Sequence, residues 1–375
     1  MAARQPASRI LIGLLLGVLF VGVNAAFLRV FGITRPGMAP YYLDAAREIA
    51  DGRWPAVRPG LWLAYPALIA VCQQAGLGLS GVVALQLAAA AGAAVALYRL
   101  AARLAGPTAG ILAAALLILN PAIAQRHGAI VTDSLYTSFV IFSALAIHRA
   151  RDRRPASVWR YLAASAIVIV AALMRPNGWM LPPIAVAYWT APALESPRQV
   201  RLAFIGIAAA FVVLLLALPD VRRGIEWEDP EAGLRSGEVV AAFDGWTMEM
   251  PDDPAGGYAI RHPVATAALG TARIAAEMVR VRPYYSARHN AALAIFLGTL
   301  YAAAVAGLVK LRRQPLAKLL ATIIAAHLLP IALTEADWDG RFLQFVLPVI
   351  GVFAAWTAVG RPCGMMPALD TTSCP

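Results

Sequence analysis

The stretch Ala129-Ile130-Val131-Thr132-Asp133-Ser134-Leu135-Tyr136 places one carboxylate, Asp133, at the mouth of an apolar segment. Residues 106–124 before it are apolar enough to cross a bilayer, and the segment after it, to residue 147, is a second such stretch. A charge at the centre of a membrane helix costs about 2.5–3.5 kcal/mol on insertion scales, and less near an end. Residues kept at such depth line sites as a rule. The pattern therefore predicts a membrane enzyme or transporter rather than a simple anchor.

Composition agrees with that placement. The chain has 375 residues, of which 60% are hydrophobic and 14% charged; its mean hydropathy is +0.66. Soluble domains carry about a quarter charged residues. The apolar residues fall in runs of about 20, the length that crosses about 30 Å of hydrocarbon. We expect an all-α polytopic membrane protein with about ten transmembrane helices, at 10–31, 80–101, 106–124, 129–148, 160–175, 177–192, 202–219, 290–309, 316–333 and 342–360. The first run is longer than a usual signal-peptide core and no small-x-small cleavage site follows it, which predicts a retained helix. The fifth and sixth spans flank Arg175-Pro176-Asn177-Gly178 and read either as two spans or as one broken hairpin. Residues 60–77, interrupted by Pro66 and Gln73-Gln74, read as interfacial or re-entrant.

The net charge of +11 does not point to nucleic acid, because the basic residues sit in short loops. Arg4 and Arg9, Arg99 and Arg103, Arg149 to Arg154, Arg198 and Arg201, and Lys310 to Lys318 all fall on one side of the counted spans. The positive-inside rule makes that side cytoplasmic. Both termini are then cytoplasmic, with outer loops at 32–79 and 220–289. The expected organisation is one transmembrane domain over 1–360 and a cytoplasmic tail over 361–375. Cys72, Cys363 and Cys374 are scattered and are expected as free thiols. No metal-ligand spacing and no phosphate-binding glycine loop is present, so no structural metal is expected. The Ala- and Arg-rich composition suits a bacterial inner membrane.

Polar complexity concentrates in the outer segments. Residues 39–50 predict an amphipathic helix, opened by Pro40 and closed by Gly52, with an apolar stripe of Tyr42, Leu43, Ala46, Ile49 and Ala50. Asp44 lies off that stripe, as a solvated residue or a site acid. Trp54, Trp62 and Tyr65 fit the headgroup belt. Arg58 beside them is either a snorkelling arginine or a phosphate ligand. Arg175 lies in apolar surroundings and requires an anionic partner, either Asp133 or a lipid phosphate. The basic run from Arg273 through Arg280 and Arg282 suits anionic headgroups. The last outer turn, Thr334-Glu335-Ala336-Asp337-Trp338-Asp339-Gly340-Arg341-Phe342, brings three acids and an arginine to a helix mouth.

Several motifs occur in a telling order: Tyr41-Tyr42-Leu43-Asp44-Ala45-Ala46-Arg47; Arg58-Pro59-Gly60-Leu61; Gln86 with Tyr98, Arg99, Arg103 and Gly106; Pro121 through Asp133; Arg175-Pro176; and Gly340-Arg341-Phe342 through Pro348. Together they resemble the GT-C superfamily of glycosyltransferases, in its bacterial branch similar to protein O-mannosyltransferases (family 39) and the lipid A aminoarabinose transferase. The resemblance covers about residues 10–190 and resumes at 335–355.

It implies a GT-C-like bundle with an interfacial helix in the first outer loop. It also implies sugar transfer from a polyprenyl-phosphate donor to a glycan, lipid or protein acceptor at the outer face. Arg58, Arg175 and Arg341 would meet the donor phosphate, and Asp133 or Asp44 would serve as the catalytic carboxylate. Tyr41, Tyr42, Glu335 and Asp337 are further site candidates. One departure matters: the family carries an acid shortly before the first-loop tyrosine, where this chain has Met38 and Ala39. Either Asp44 or Asp133 takes that role, or the activity has changed or been lost. A lipid or sugar-lipid flippase, and a non-catalytic assembly subunit, remain as the alternative classes.

Overall fold

The computed structural model describes residues 5–55, 63–152, 157–191, 230–241 and 246–360. Arg58, the expected span 202–219, loop residues 220–229 and the tail with Cys363 and Cys374 lie outside the described residues. Those described form an all-α membrane protein, with β structure limited to isolated bridges.

Helix α1 (Gln5–Phe31) leads into α2 (Ala39–Ala50), which Pro40 opens and Gly52, at φ +72°, closes. The buried face of α2 is Ala39, Tyr42, Ala45 and Ala46, with Leu43, Ile49 and Ala50 at its margins. It packs on α3 (Ala64–Gln74), where Tyr42 and Tyr65 meet edge to face at 5.2 Å. The apolar stretch expected to be interfacial thus holds a short helix, anchored by Tyr65 Oη donating to Gln86 Oε1 at 2.8 Å. Gln86 donates in turn to the carbonyls of His127 and Ala129.

Helix α4 (Gly78–Ala105) has 28 residues, about 42 Å of rise. Its small residues let α5 (Pro107–Ile118) pack close: a Cβ on Gly110 would come within 2.8 Å of the Tyr98 carbonyl oxygen. Asn120-Pro121 ends that span. Asn120 Oδ1 accepts from the amides of Ala122 and Ile123 and starts α6 (Pro121–His127), bent 62° from α5. Helix α7 (Asp133–Asp152) then crosses the middle of the bundle. Its hydroxyls are absorbed locally: Thr137 and Ser138 donate to the carbonyls four residues earlier.

Helix α8 (Val158–Ala172) stops before Arg175-Pro176. Proline disfavours helical geometry in the residue before it, and Arg175 is extended, at φ −154° and ψ 151°. A 3₁₀ turn (Pro176–Met180) and α9 (Leu181–Thr190) follow, so the two expected spans are short segments around a break.

Residues 230–279 hold the short helices α10 (Pro230–Arg235) and α11 (Tyr258–Arg261), then α12 (Pro263–Val279). These enclose a second small core of Leu234, Val240, Tyr258, Leu269, Ile331 and Ala336. A bridge between Val240 and Ala336 ties this region to the last outer turn. Helices α13 (Ala287–Leu311), α14 (Pro315–Leu333) and α15 (Leu347–Val359) complete the described bundle, with a 3₁₀ turn at Arg341–Phe345.

Four described helices are long and apolar enough to cross a membrane, or five if α5 and α6 count as one bent span. The expected count of about ten is not reached among the described residues. Helices α8, α9 and α15 fall short of the roughly 20 residues a straight span requires, and α7 is diluted by its polar side chains.

The basic run of the outer loop does not face headgroups. Arg273 and Arg282 are 0% and 1% exposed. Arg273 donates to the carbonyls of Gly233, Glu238 and Leu333, and Arg282 to those of Ala276, Asp337 and Trp338. Backbone carbonyls left by helix ends and turns are the acceptors these guanidiniums satisfy.

Candidate active site

Asp133 occupies the first turn of α7, where the partial positive charge of a helix N-terminus favours an anion. It is 2% exposed. Arg175, released from the helix by Pro176, donates through Nη1 to Asp133 Oδ1 and, at 3.2 Å, to Thr132 Oγ1. The guanidinium carbon of Arg175 lies 4.7 Å from the centre of the Phe345 ring, a cation–π contact that fixes it further. Tyr42 reaches the same place from the first outer loop through a hydrogen bond with Thr132. Burial pushes the Tyr42 phenol up; Arg175 and Arg341 oppose this and Asp133 adds to it.

The turn of residues 334–342 supplies the other half. Arg126 Nη2 donates to Asp339 Oδ2 at 2.5 Å, and its Nε lies 3.9 Å from Asp133 Oδ2, so one guanidinium spans two acids. Arg341 Nε lies 2.9 Å from Asp337 Oδ1, a close contact without hydrogen-bond alignment. Buried Glu277 holds the turn in shape by accepting the amides of Asp337 and Leu343 at 2.8 and 2.9 Å. Arg280 donates to the Asp339 carbonyl across Gly340, whose φ of +68° and close approach to Arg280 suit glycine.

Charge in this cluster is unevenly balanced. Burial, with the hydrogen bond its protonated carboxyl donates to Asp339, pushes Asp337 up to about 8, against the pull of Arg341. Asp339 is held low by its bond to Asp337 and by Arg126 and Arg341, which together outweigh its burial. With Asp337 pushed towards its neutral form, the guanidiniums of Arg126, Arg175 and Arg341 gather around the side chains of Asp133 and Asp339. Buried Asp133 Oδ2, Arg175 Nε and Asp339 Oδ1 have no hydrogen-bond partner among the described residues. Unpaired buried polar atoms are costly, and each calls for an explanation. Clustered guanidiniums beside a carboxyl oxygen that accepts no hydrogen bond can hold an anion and take a proton.

The structure brings together Asp133, Arg175, Arg341, Tyr42 and Asp337 of the residues singled out from sequence. Asp44 lies elsewhere: it sits on the exposed face of α2, paired with Arg47 at 2.7 Å. Tyr41 is 44% exposed on that helix. Glu335 acts on the buried Arg273 rather than on the cluster. Sequence reasoning missed Arg126, Thr132, Asp339 and Glu277 as members of the site. Arg126 had a signal, the one Lys or Arg in the 106–148 block, seven residues before Asp133. Glu277 had none, since its partners are amides 60 and 66 residues away. Among the described residues no group of three His, Cys, Asp or Glu is placed to hold a metal ion.

Fold and site together define an all-α membrane protein whose buried charge cluster is drawn from helices and turns far apart in the chain. Residues 64–221 match the family model described as dolichyl-phosphate-mannose-protein mannosyltransferase. The fold is similar to an archaeal oligosaccharyltransferase, AglB from Archaeoglobus fulgidus, in complex with an inhibitory peptide and a dolichol-phosphate. That match has a TM-score of 0.55 at 14% identity and covers 93% of this chain and 50% of the other. The same archaeal protein tethered to an acceptor peptide with the NVT sequon matches with a TM-score of 0.56 at 12% identity, over 95% and 50%. This chain therefore spans about half the length of the archaeal enzyme. No curated protein matches.

Proposed function

We propose that the chain transfers a sugar from a polyprenyl-phosphate donor to an acceptor hydroxyl at the outer face of a bacterial inner membrane, the acceptor being a glycan, lipid or protein. The observation that carries this reading is the convergence on Asp133 of Arg175, Arg126 and the Arg341 turn, from segments far apart in sequence. The family description over 64–221 names a dolichyl-phosphate sugar, which supports the donor class. The dolichol-phosphate in the archaeal complex supports it further.

Arg341 suits the donor phosphate. Its terminal nitrogens engage no acceptor among the described residues, and its side chain is 30% exposed. A guanidinium fork matches two phosphate oxygens at once. Arg175 stands beside it with Nε unengaged. Asp133 Oδ2 takes the proton of the acceptor hydroxyl as the acceptor oxygen bonds to the anomeric carbon. The carbon–oxygen bond to the phosphate breaks, and the lipid phosphate leaves with its electron pair. The arginines stabilise the charge that develops there. Arg58, outside the described residues, is a further phosphate ligand in this reading.

Membranes containing the chain, given a radiolabelled polyprenyl-phosphate sugar, should move label to an endogenous acceptor, and Asp133→Asn should stop it. Movement of the intact labelled donor across the bilayer, with no transfer, would instead assign the chain to the flippases.

A further inference from the structure

At the end of the bundle away from Asp133 lies a cavity of about 470 Å³. The 20 residues of α7 separate the two by about 30 Å. Its lining includes Arg103, His148, Arg151, Asp152, Tyr188 and Gln314. Arg103 Nη1 contacts His148 Nε2 at 2.9 Å and Asp152 Oδ2 at 2.5 Å. His148 Nδ1 meets Tyr188 Oη at 3.0 Å. Arg151 stacks over the Tyr188 ring at 4.5 Å and donates to the Tyr188 carbonyl at 3.2 Å. Among the described residues Arg151 pairs with no carboxylate.

A second cavity, of about 320 Å³, adjoins the first and shares its lining residues Arg151, Tyr188 and Pro315. It runs between α9 and α14 past Ile184, Ala187 and Leu319, with Lys318 and Thr322 on its rim. One end is therefore cationic and polar, and the other is apolar and parallel to the spans. The level is marked independently. Trp159, 75% exposed at the start of α8, and Trp189, packed edge to face on Tyr161, are of the residue type that favours the boundary between headgroups and hydrocarbon.

The geometry points to a binding site for an anionic phospholipid, its phosphate on Arg103 and Arg151 and one acyl chain in the α9–α14 groove. Basic pockets between membrane helices on the cytoplasmic side suit such headgroups. A free phosphate would leave the apolar cavity unused, and a zwitterionic lipid would bring a choline cation towards the arginines. This site is separate from the sugar-transfer reading and stands without it.

The test uses the full chain purified in mild detergent, with bound lipid counted by native mass spectrometry. Phosphatidylglycerol and phosphatidylcholine of identical acyl chains are offered separately. The expected result is retention of phosphatidylglycerol over phosphatidylcholine. Arg151→Gln should weaken it about tenfold, the worth of one charge-assisted hydrogen bond. Thr322→Trp, which fills the groove from an exposed position, should weaken it as well. Both variants leave the Arg103–Asp152 pair intact and should elute as the parent does. Equal retention of the two lipids would overturn the proposal, as would unchanged retention in both variants. Displacement of the lipid by millimolar inorganic phosphate would assign the cavity to a soluble anion instead.

Discussion

Arg126 Nη2 lies 2.5 Å from Asp339 Oδ2, although 213 residues of chain separate them. The same guanidinium approaches Asp133 through Nε at 3.9 Å. Arg126 thus couples the bent end of the α5–α6 pair to the last outer turn and places both beside the start of α7. Loss of this one side chain would leave two largely buried acids without their common counter-charge.

Asp133 is expected to be essential as a carboxylate. Asp133→Asn preserves size but removes the base, and should lower transfer by about 10²–10⁴-fold, with the protein still inserted. Asp44→Asn should change transfer little, because its partner is the exposed Arg47. Rates of labelled-sugar transfer in membranes matched for protein amount test both. Full activity in Asp133→Asn with loss in Asp44→Asn would return catalysis to the first loop.

Arg175 and Arg341 should separate by phenotype. Arg341→Lys keeps the charge but loses the fork, so the donor KM should rise about tenfold with the fold unchanged. Arg175→Ala removes the hydrogen-bonded partner of buried Asp133 and leaves it only Arg126 at 3.9 Å, at a cost of up to about 3–5 kcal/mol. Thermal unfolding in detergent measures that cost. The double variant Arg175→Ala/Asp133→Asn should recover part of it, because the orphaned charge is gone. An additive pair of losses would show that the two residues do not interact.

Asp337 gives a pH signature. Its folded carboxyl keeps a proton up to about pH 8, whereas the unfolded chain releases it near the ordinary value of 3.8. Between those values the folded state binds the extra proton. This group's contribution to stability is therefore present in acid and is lost as pH rises towards 8. Above that point a new negative charge faces Arg341 and competes with the donor phosphate. The donor KM should rise on the alkaline side, and Asp337→Asn, neutral at every pH, should flatten that limb. An identical limb in the variant would remove Asp337 from the titration.

Orientation can be read by cysteine labelling in intact cells. Cys72 is buried, so Cys363 and Cys374 are changed to serine and one new cysteine is placed at exposed Asp252. The expected outcome is labelling of Asp252→Cys by an impermeant maleimide before permeabilisation. Labelling only after permeabilisation would put the Asp133 cluster on the cytoplasmic side and reject the proposed reaction.

Local chemistry was legible along the chain. Run length and apolar content mark the long membrane helices, because crossing hydrocarbon demands both within one continuous stretch. Asn120-Pro121 and Arg175-Pro176 announce their breaks, since proline acts on its immediate neighbours. The stripe of α2 follows from a 3.6-residue period. Asp133 and Arg175 stand out because a charge in apolar surroundings requires a partner. Tertiary structure alone decided which partner each charge meets. Asp44 and Asp133 look alike as acids near a membrane boundary, yet one faces outward beside Arg47 and the other is buried against Arg175. Arg273 and Arg282 have the spacing of a headgroup-facing run, yet both are consumed by buried carbonyls. The meeting of Arg126 with Asp339, and of Glu277 with the last outer turn, depends on packing across scores of residues. Helical period constrains only which neighbours a few residues away share a face, and no period reaches that far.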